Sequence, residues 1–181
     1  MEIRETKIEG LLVIQPRIFK DDRGLFFESF NQLKFEKHLG QEITFVQDNE
    51  SVSKKNVVRG LHFQSPPHAQ GKLVHVAQGS VLDVAVDLRK GSLTYGQWHS
   101  ELLSSENHTL FWIPEGFAHG FVSLEENTTF IYKCTNYYNP ESERTICWND
   151  ELLSIDWGIF PPIISSKDKE GEKFANFATP Y

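Results

Sequence analysis

The stretch SVLDVAVDL, residues 80–88, alternates without a break. Val81, Asp83, Ala85 and Asp87 fall on one side of an extended chain, and Leu82, Val84, Val86 and Leu88 on the other. A period of two marks a strand, because successive side chains point to opposite faces of a sheet. Aspartates confined to one side predict a sheet with one buried face and one wetter face.

Similar runs lie to either side. Before it come LLVI (11–14), GLFFESF (24–30), ITFVQDNESVS (43–53), VVRGLHF (57–63) and KLVHVAQ (72–78). After it come YGQWHSELL (95–103), TLFWI (109–113), GFVSL (120–124) and TTFIYKCTNYY (128–138). Gly, Pro, Asn and Ser separate them at the roughly 8–12 residue spacing of sandwiches and barrels. One helix is expected in NQLKFEKHLG (31–40), with Asn31 capping its start and Gly40 taking the left-handed position after its end. A second, short helix is expected around NDELLS (149–154). The pattern predicts a mainly β protein: an antiparallel jelly roll, or double-stranded β-helix, with few short helices.

The 181 residues suit a single domain spanning 1–181, and 39% hydrophobic content with 14 Phe is enough for a sizeable core. A net charge of −7 argues against general attraction to nucleic acid. An anionic small ligand would need a local cluster of Arg and Lys. Cys134 and Cys147 are expected as free thiols, since nothing points to a secretory context. MEIRETKIEG has no apolar signal region and no stretch nears the ~20 apolar residues of a membrane span, so a soluble, cytoplasmic protein without membrane contact is expected.

Several strands carry more polar chemistry than a half-buried sheet needs. VVRGLHFQSPPHAQGKLVHV (57–76) reads as strand, Pro66–Pro67 turn, strand, yet contains Arg59, His62, Gln64, His68, Lys72 and His75. If those strands pair, His62 and Lys72 project into one concave interior. Taken singly, His62 is better explained as a satisfied core histidine, and Lys72 as a residue at a wet strand mouth. In FWIPEGFAHGF (111–121), Pro114, Gly116 and His119 match the spacing of the second motif of cupin jelly rolls, where a turn carries His inward, often to a metal. A metal site would want three or more His or carboxylate ligands. The first motif supplies His62 and then Gln64 rather than a second His, so a metal-free cupin-like barrel is expected. In FIYKCTNYYNPESE (130–143), Tyr132 and Tyr138 share strand parity. They suit rim packing, proton donation inside a cavity, or stacking at its mouth. Asp168, in SSKDKEGEKF (165–174), resembles any surface acid when read alone.

Together these stretches resemble the dTDP-4-dehydrorhamnose 3,5-epimerase family. The likeness also runs through FKDDRGLFFESF (19–30), FVQDNESVS (45–53), VLDVAVDLRKGSLTYGQW (81–98), YKCTNYYNPESERTICWND (132–150) and IDWGI (155–159), in matching order. It spans about residue 16 to about residue 170, which makes it far more specific than any one motif. The resemblance implies a cupin-type jelly roll, usually a homodimer exchanging N-terminal strands. It implies epimerisation of dTDP-4-dehydro-6-deoxy-D-glucose at C3 and C5, in dTDP-L-rhamnose biosynthesis for cell-envelope polysaccharide, with neither metal nor other cofactor. By the same resemblance His62 is the general base, Asp168 its carboxylate partner, Lys72 the cation beside the substrate carbonyl, and Tyr132 the opposed acid. Arg59 and His119 match substrate contacts. Arg23, Glu28, Gln47 and Asn49 match nucleotide or substrate contacts, some made across the dimer. Tyr138 matches the aromatic that stacks on thymine, and Glu143 and Lys167 match further ligand contacts. The alternative is a single-site epimerase or a ketoisomerase acting on a related nucleotide-activated 4-keto sugar.

Overall fold

A computed structural model describes residues 1–181. In chain order the strands are β1 (Glu2–Glu5), β2 (Leu12–Gln15), β3 (Ile18–Asp21), β4 (Gly24–Phe27), then helix α1 (Gln32–Leu39), then β5 (Gln47–Ser53), β6 (Val57–Gln64), β7 (Lys72–Gln78) and β8 (Ser80–Asp87). There follow β9 (Trp98–Ser104), β10 (Leu110–Ile113), β11 (Phe117–Ser123), β12 (Thr128–Cys134), β13 (Glu143–Thr145), β14 (Ile163–Ile164) and a one-turn helix, α2 (Ser166–Lys169). One sheet has the order β1-β2-β10-β7-β12-β5 and the other β13-β6-β11-β8-β9, with β14 added parallel to β6. The two sheets face each other as the expected antiparallel jelly roll.

Three apolar layers explain why the alternation at 80–88 leaves no wet face. Val81 and Ala85 point between the sheets, where they meet Val74, Phe111, Phe121 and Phe130. Val84, Val86 and Leu88 point outward, but the chain's last third covers them with Ile146, Leu153 and Trp157. The expectation of one wetter face is therefore wrong. Asp83 and Asp87 are 0% exposed; they face the barrel interior and its end rather than solvent. On the other sheet, α1 lays Phe35 over Leu12, Leu73, Leu110 and Trp112.

The α1 boundaries follow its caps. The Asn31 side chain accepts from the Lys34 N–H at 3.1 Å, and Gly40 sits at φ +70° with its N–H donating to the Glu36 carbonyl. The helix expected at 149–154 is instead a turn. The Asp150 carboxylate accepts from the N–H groups of Leu152 and Leu153 with one oxygen and from Phe174 with the other, and Ser154 turns to φ +47°. An aspartate side chain that satisfies nearby N–H groups competes with helix formation.

The stretch 57–76 is not a hairpin either. β6 and β7 belong to different sheets and pair with other strands, so His62 and Lys72 face each other across the interior rather than along a ladder. β1 pairs with β2, and β2 with β10, inside the chain's own sheet. The hairpin β3–β4 forms a separate two-stranded sheet and leaves Phe19, Leu25 and Phe26 exposed.

Candidate active site

A cavity of about 540 Å³ opens between the sheets, bordered by a second of about 240 Å³; His62, Lys72 and Tyr132 line both. A flaw in strand regularity puts two of its polar groups together. Along the β6–β11 ladder His62 pairs with His119, but Arg59 pairs with Phe121, so β6 contains one residue more than its partner. Such a bulge reverses the in–out alternation. Val57 and Arg59 face the cavity before it and His62 after it, while Val58, Leu61 and Phe63 all face the outer core. Gly60 sits in the bulge at φ +130°, where a Cβ would lie 2.5 Å from the Cα of Gly120. Only glycine permits that approach.

The His62 imidazole is bonded through Nε2 to Oδ1 of Asp168 at 2.6 Å. Asp168 arrives from 106 positions away because β14 joins β6 in parallel and delivers the chain into α2. There the Ser165 hydroxyl caps the turn by accepting from the Asp168 N–H. Burial alone would raise the Asp168 carboxyl. Its bond to His62 and the imidazole's charge, with help from the Gly60 N–H and Ser165, outweigh that and hold it below the usual carboxylate range. A carboxylate so placed fixes the imidazole tautomer and stabilises the imidazolium that forms when the ring takes a proton.

Lys72 and Tyr132 occupy the opposite wall, on neighbouring strands β7 and β12. The Lys72 ammonium stands 6.0 Å from the centre of the Tyr132 ring. Burial pushes the Lys72 ammonium below its ordinary range, against Cys134, Asp83 and Glu143, which pull it back up. Burial pushes the Tyr132 phenol up, so it holds its proton.

Beside His62 on the same sheet, His119 is bonded to both oxygens of Asp83 at 2.9 and 3.0 Å. The cupin-like turn does carry His119 inward, and its partner is this carboxylate. No group of three or more His, Cys, Asp or Glu side chains is arranged to hold a metal ion. Burial raises the Asp83 carboxyl and lowers the His119 imidazole, in each case against their mutual attraction.

Of the residues singled out in the sequence, Arg59, His119, Lys167 and Asp168 line the larger cavity with His62, Lys72 and Tyr132. Gln47, Asn49, Tyr138 and Glu143 line the smaller. Glu143 accepts from the Tyr138 hydroxyl at 2.8 Å and pairs with the Lys167 ammonium at 2.5 Å, linking the mouths of the two cavities. Arg23 and Glu28 are not brought to the site within one chain. Arg23 pairs with Asp21 on the free-standing hairpin, and Glu28 with Lys34 and Asn31. Asp83, which backs His119, and Ser51 are interior polar groups that the sequence does not single out as functional. Asp83 shares a side with Val81, Ala85 and Asp87, and the alternation reads that pattern as a wetter face. Ser51, whose hydroxyl is buried without a hydrogen-bond partner against the larger cavity, had no signal.

A jelly roll whose closed interior opposes a carboxylate-braced imidazole to a phenol and an ammonium is, as a class, an enzyme that moves protons on a bound small molecule. A family model described as dTDP-4-dehydrorhamnose 3,5-epimerase matches residues 5–176, and the chain belongs to that family. The dTDP-4-dehydrorhamnose 3,5-epimerase of Salmonella typhimurium is 56% identical over 169 residues, 93% of this chain and 92% of the relative. Among solved structures, the dTDP-6-deoxy-D-glucose-3,5-epimerase of Legionella pneumophila in complex with dTDP-4-keto-L-rhamnose is 49% identical, with a TM-score of 0.93 over 98% of this chain and 94% of that one. A 3'-monoepimerase from Streptomyces bikiniensis, in complex with dTDP-quinovose, has a TM-score of 0.90 over 94% and 86% of the two chains but only 32% identity. No helix is long and apolar enough to cross a membrane.

Proposed function

We propose that the chain inverts C3 and C5 of dTDP-4-dehydro-6-deoxy-D-glucose to give dTDP-4-dehydro-L-rhamnose, for dTDP-L-rhamnose biosynthesis, with His62 as base and Tyr132 as acid. The observation that carries the assignment of roles is that His62 and Tyr132 stand on facing sheets of one cavity. In the gluco chair H3 and H5 are both axial on one face, and removing either gives an enolate onto O4. One base on that face serves both carbons after a small shift of the sugar. Inversion requires that the proton return from the other face, where Tyr132 supplies it.

His62 takes the proton and Asp168 stabilises the resulting imidazolium. Lys72 places its charge where O4 becomes an oxyanion, in a site where fixed charge acts with little screening. Each half-reaction moves one proton off carbon and one back, so no electrons change hands and the scheme needs neither redox cofactor nor metal. Arg59 and Lys167 offset the diphosphate, Tyr138 stacks on thymine, and Gln47, Asn49, His119 and Glu143 contact the ligand. The reading extends to a cytoplasmic homodimer in which the β3–β4 hairpin, with its exposed Phe19 and Phe26, carries Arg23 and Glu28 to a neighbour's site. A monomeric mass in sedimentation at micromolar protein would remove that part.

Turnover in deuterated water tests the central claim. Label at both C3 and C5 is expected; label at C3 alone would reassign the chain to single-site epimerisation, as in the Streptomyces relative. Tyr132→Phe should still exchange protons but invert poorly. Unchanged inversion in that variant means another group is the acid.

A further inference from the structure

Gln64 occupies the place where a metal-binding first motif would carry a second His, and the reaction leaves it without a task. It is 4% exposed, and its amide makes three hydrogen bonds, one to the β6–β7 loop and two to the segment after β12. Its Nε2 donates to the His68 carbonyl at 2.6 Å and to the Tyr137 carbonyl at 3.1 Å, and its Oε1 accepts from the Asn139 N–H at 2.7 Å. The carbonyl of residue 137 and the N–H of residue 139 are the pair that a residue of an adjoining parallel strand would engage. The side chain of Gln64 therefore substitutes for a missing strand beside Tyr138, which lies past the end of β12 in a segment without regular structure.

Tyr138 itself is held at two further points. Its N–H donates to Oε1 of Gln47 at 2.8 Å, and its hydroxyl to Glu143, the residue opposite Gln64 in the β6–β13 ladder. Backbone and hydroxyl are thereby fixed, while the residue stays 53% exposed with its ring available for stacking. A stacking platform fixed before the ligand arrives spares the ordering cost of binding.

We propose that Gln64 is a positioning residue for nucleotide binding: it holds the 137–139 backbone so that the Tyr138 ring is preset to receive the base. The inference rests on the proposed stacking role of Tyr138. Gln64→Met keeps the volume and removes all three bonds. Its dissociation constant for dTDP by calorimetry should rise about tenfold, and KM for the nucleotide sugar likewise, with kcat within about threefold of wild type. Tyr138→Ala should weaken dTDP by a similar factor, and the double variant should bind no more than about threefold worse than Tyr138→Ala. Independent, multiplicative losses in the double variant, or wild-type affinity in Gln64→Met, overturn the proposal while leaving stacking intact. Unchanged affinity in Tyr138→Ala overturns the stacking reading itself and the proposal with it. One measurement needs no variant. In the ligand-free wild type the Asn139 amide should exchange with solvent at least about a hundredfold more slowly than an open amide, and unprotected exchange there overturns the proposal.

Discussion

The barrel interior contains two histidine–carboxylate pairs of opposite character. His62 and Asp168 meet at 2.6 Å, with 29% of the His62 side chain exposed to the cavity. His119 and Asp83 meet at 2.9 Å, with 8% and 0% exposed. In the first pair the partner interactions outweigh burial and hold the carboxyl low; in the second, burial wins and drives the carboxyl up. Chemistry alone does not distinguish them, but access to solvent does. A pair that must accept a proton needs a stabilised carboxylate and a reachable ring, and only the first has both. The sealed pair is suited to fixing the floor of the site and to holding a charge near Lys72.

The largest effect should come from the open pair. His62→Ala is expected to abolish deuterium exchange at both C3 and C5, a loss of more than about 10³ in rate, with dTDP affinity largely kept. Exchange persisting at either carbon would take the base role away from His62. Asp168→Asn, which leaves the ring unbraced, should cost about 10²–10⁴ in kcat. Asp83→Asn should cost less than about tenfold at pH 7, because its partner is not asked to carry a proton. If the two asparagine variants lose activity equally, the contrast between the pairs is structural only.

Lys72 faces both pairs from the opposite sheet and should give the next largest effect. Lys72→Met is expected to lower kcat by about 10²–10³, the size of a lost oxyanion donor. Burial already lowers the Lys72 ammonium, and Asp83 is one of the charges that raises it. Asp83→Asn should therefore let Lys72 lose its proton at lower pH, moving the alkaline limb of the kcat profile downward. An alkaline limb that stays in place would show that the sealed pair does not support the ammonium.

The two pairs also differ in how far the sequence reveals them. The strands were legible because their alternation is strong, and α1 because Asn31 and Gly40 are both in the right places. The sealed pair was half legible: Pro114, Gly116 and His119 announced an inward histidine, whereas the alternation put Asp83 on a face expected to be wet. The open pair was legible only through family likeness. Nothing local in SSKD says that Asp168 is buried, since that depends on a parallel strand of two residues joining β6. Strict alternation also puts Arg59 and His62 on opposite faces, and the bulge at Gly60 reverses this. Period-two reading assumes an unbroken ladder, and it fails where the strand was interrupted to aim a side chain. The false wet face at 80–88 has a different cause: the segment that covers it lies more than a dozen residues further along the chain, beyond any window of local pattern.

Asp87 offers the smallest effect and the sharpest contrast with Asp83, four positions earlier on the same side of the same strand. Both carboxyls are fully buried, and burial pushes each of them up. Asp87, however, accepts from the Arg89 guanidinium at 2.8 and 2.9 Å, from the Arg89 N–H, and from the hydroxyls of Ser92 and Thr94. These bonds overcome burial and lower it from 3.8 to about 2. A carboxyl depressed in the folded state stabilises the fold above its unfolded pKa and loses that contribution as pH falls through the folded one. Asp87 should thus contribute roughly 2 kcal/mol above about pH 5, lost progressively between about pH 4 and about pH 2. Asp83, already raised, should contribute nothing of that sign. Urea denaturation of wild type, Asp87→Asn and Asp83→Asn at pH 7 and pH 3 separates them. Asp87→Asn should be destabilised at pH 7 by about 2 kcal/mol and converge on wild type as the pH falls, whereas Asp83→Asn should show no such convergence. A destabilised Asp83→Asn with an unaffected Asp87→Asn would invert the comparison and make the sealed His119 pair the structural anchor of the barrel.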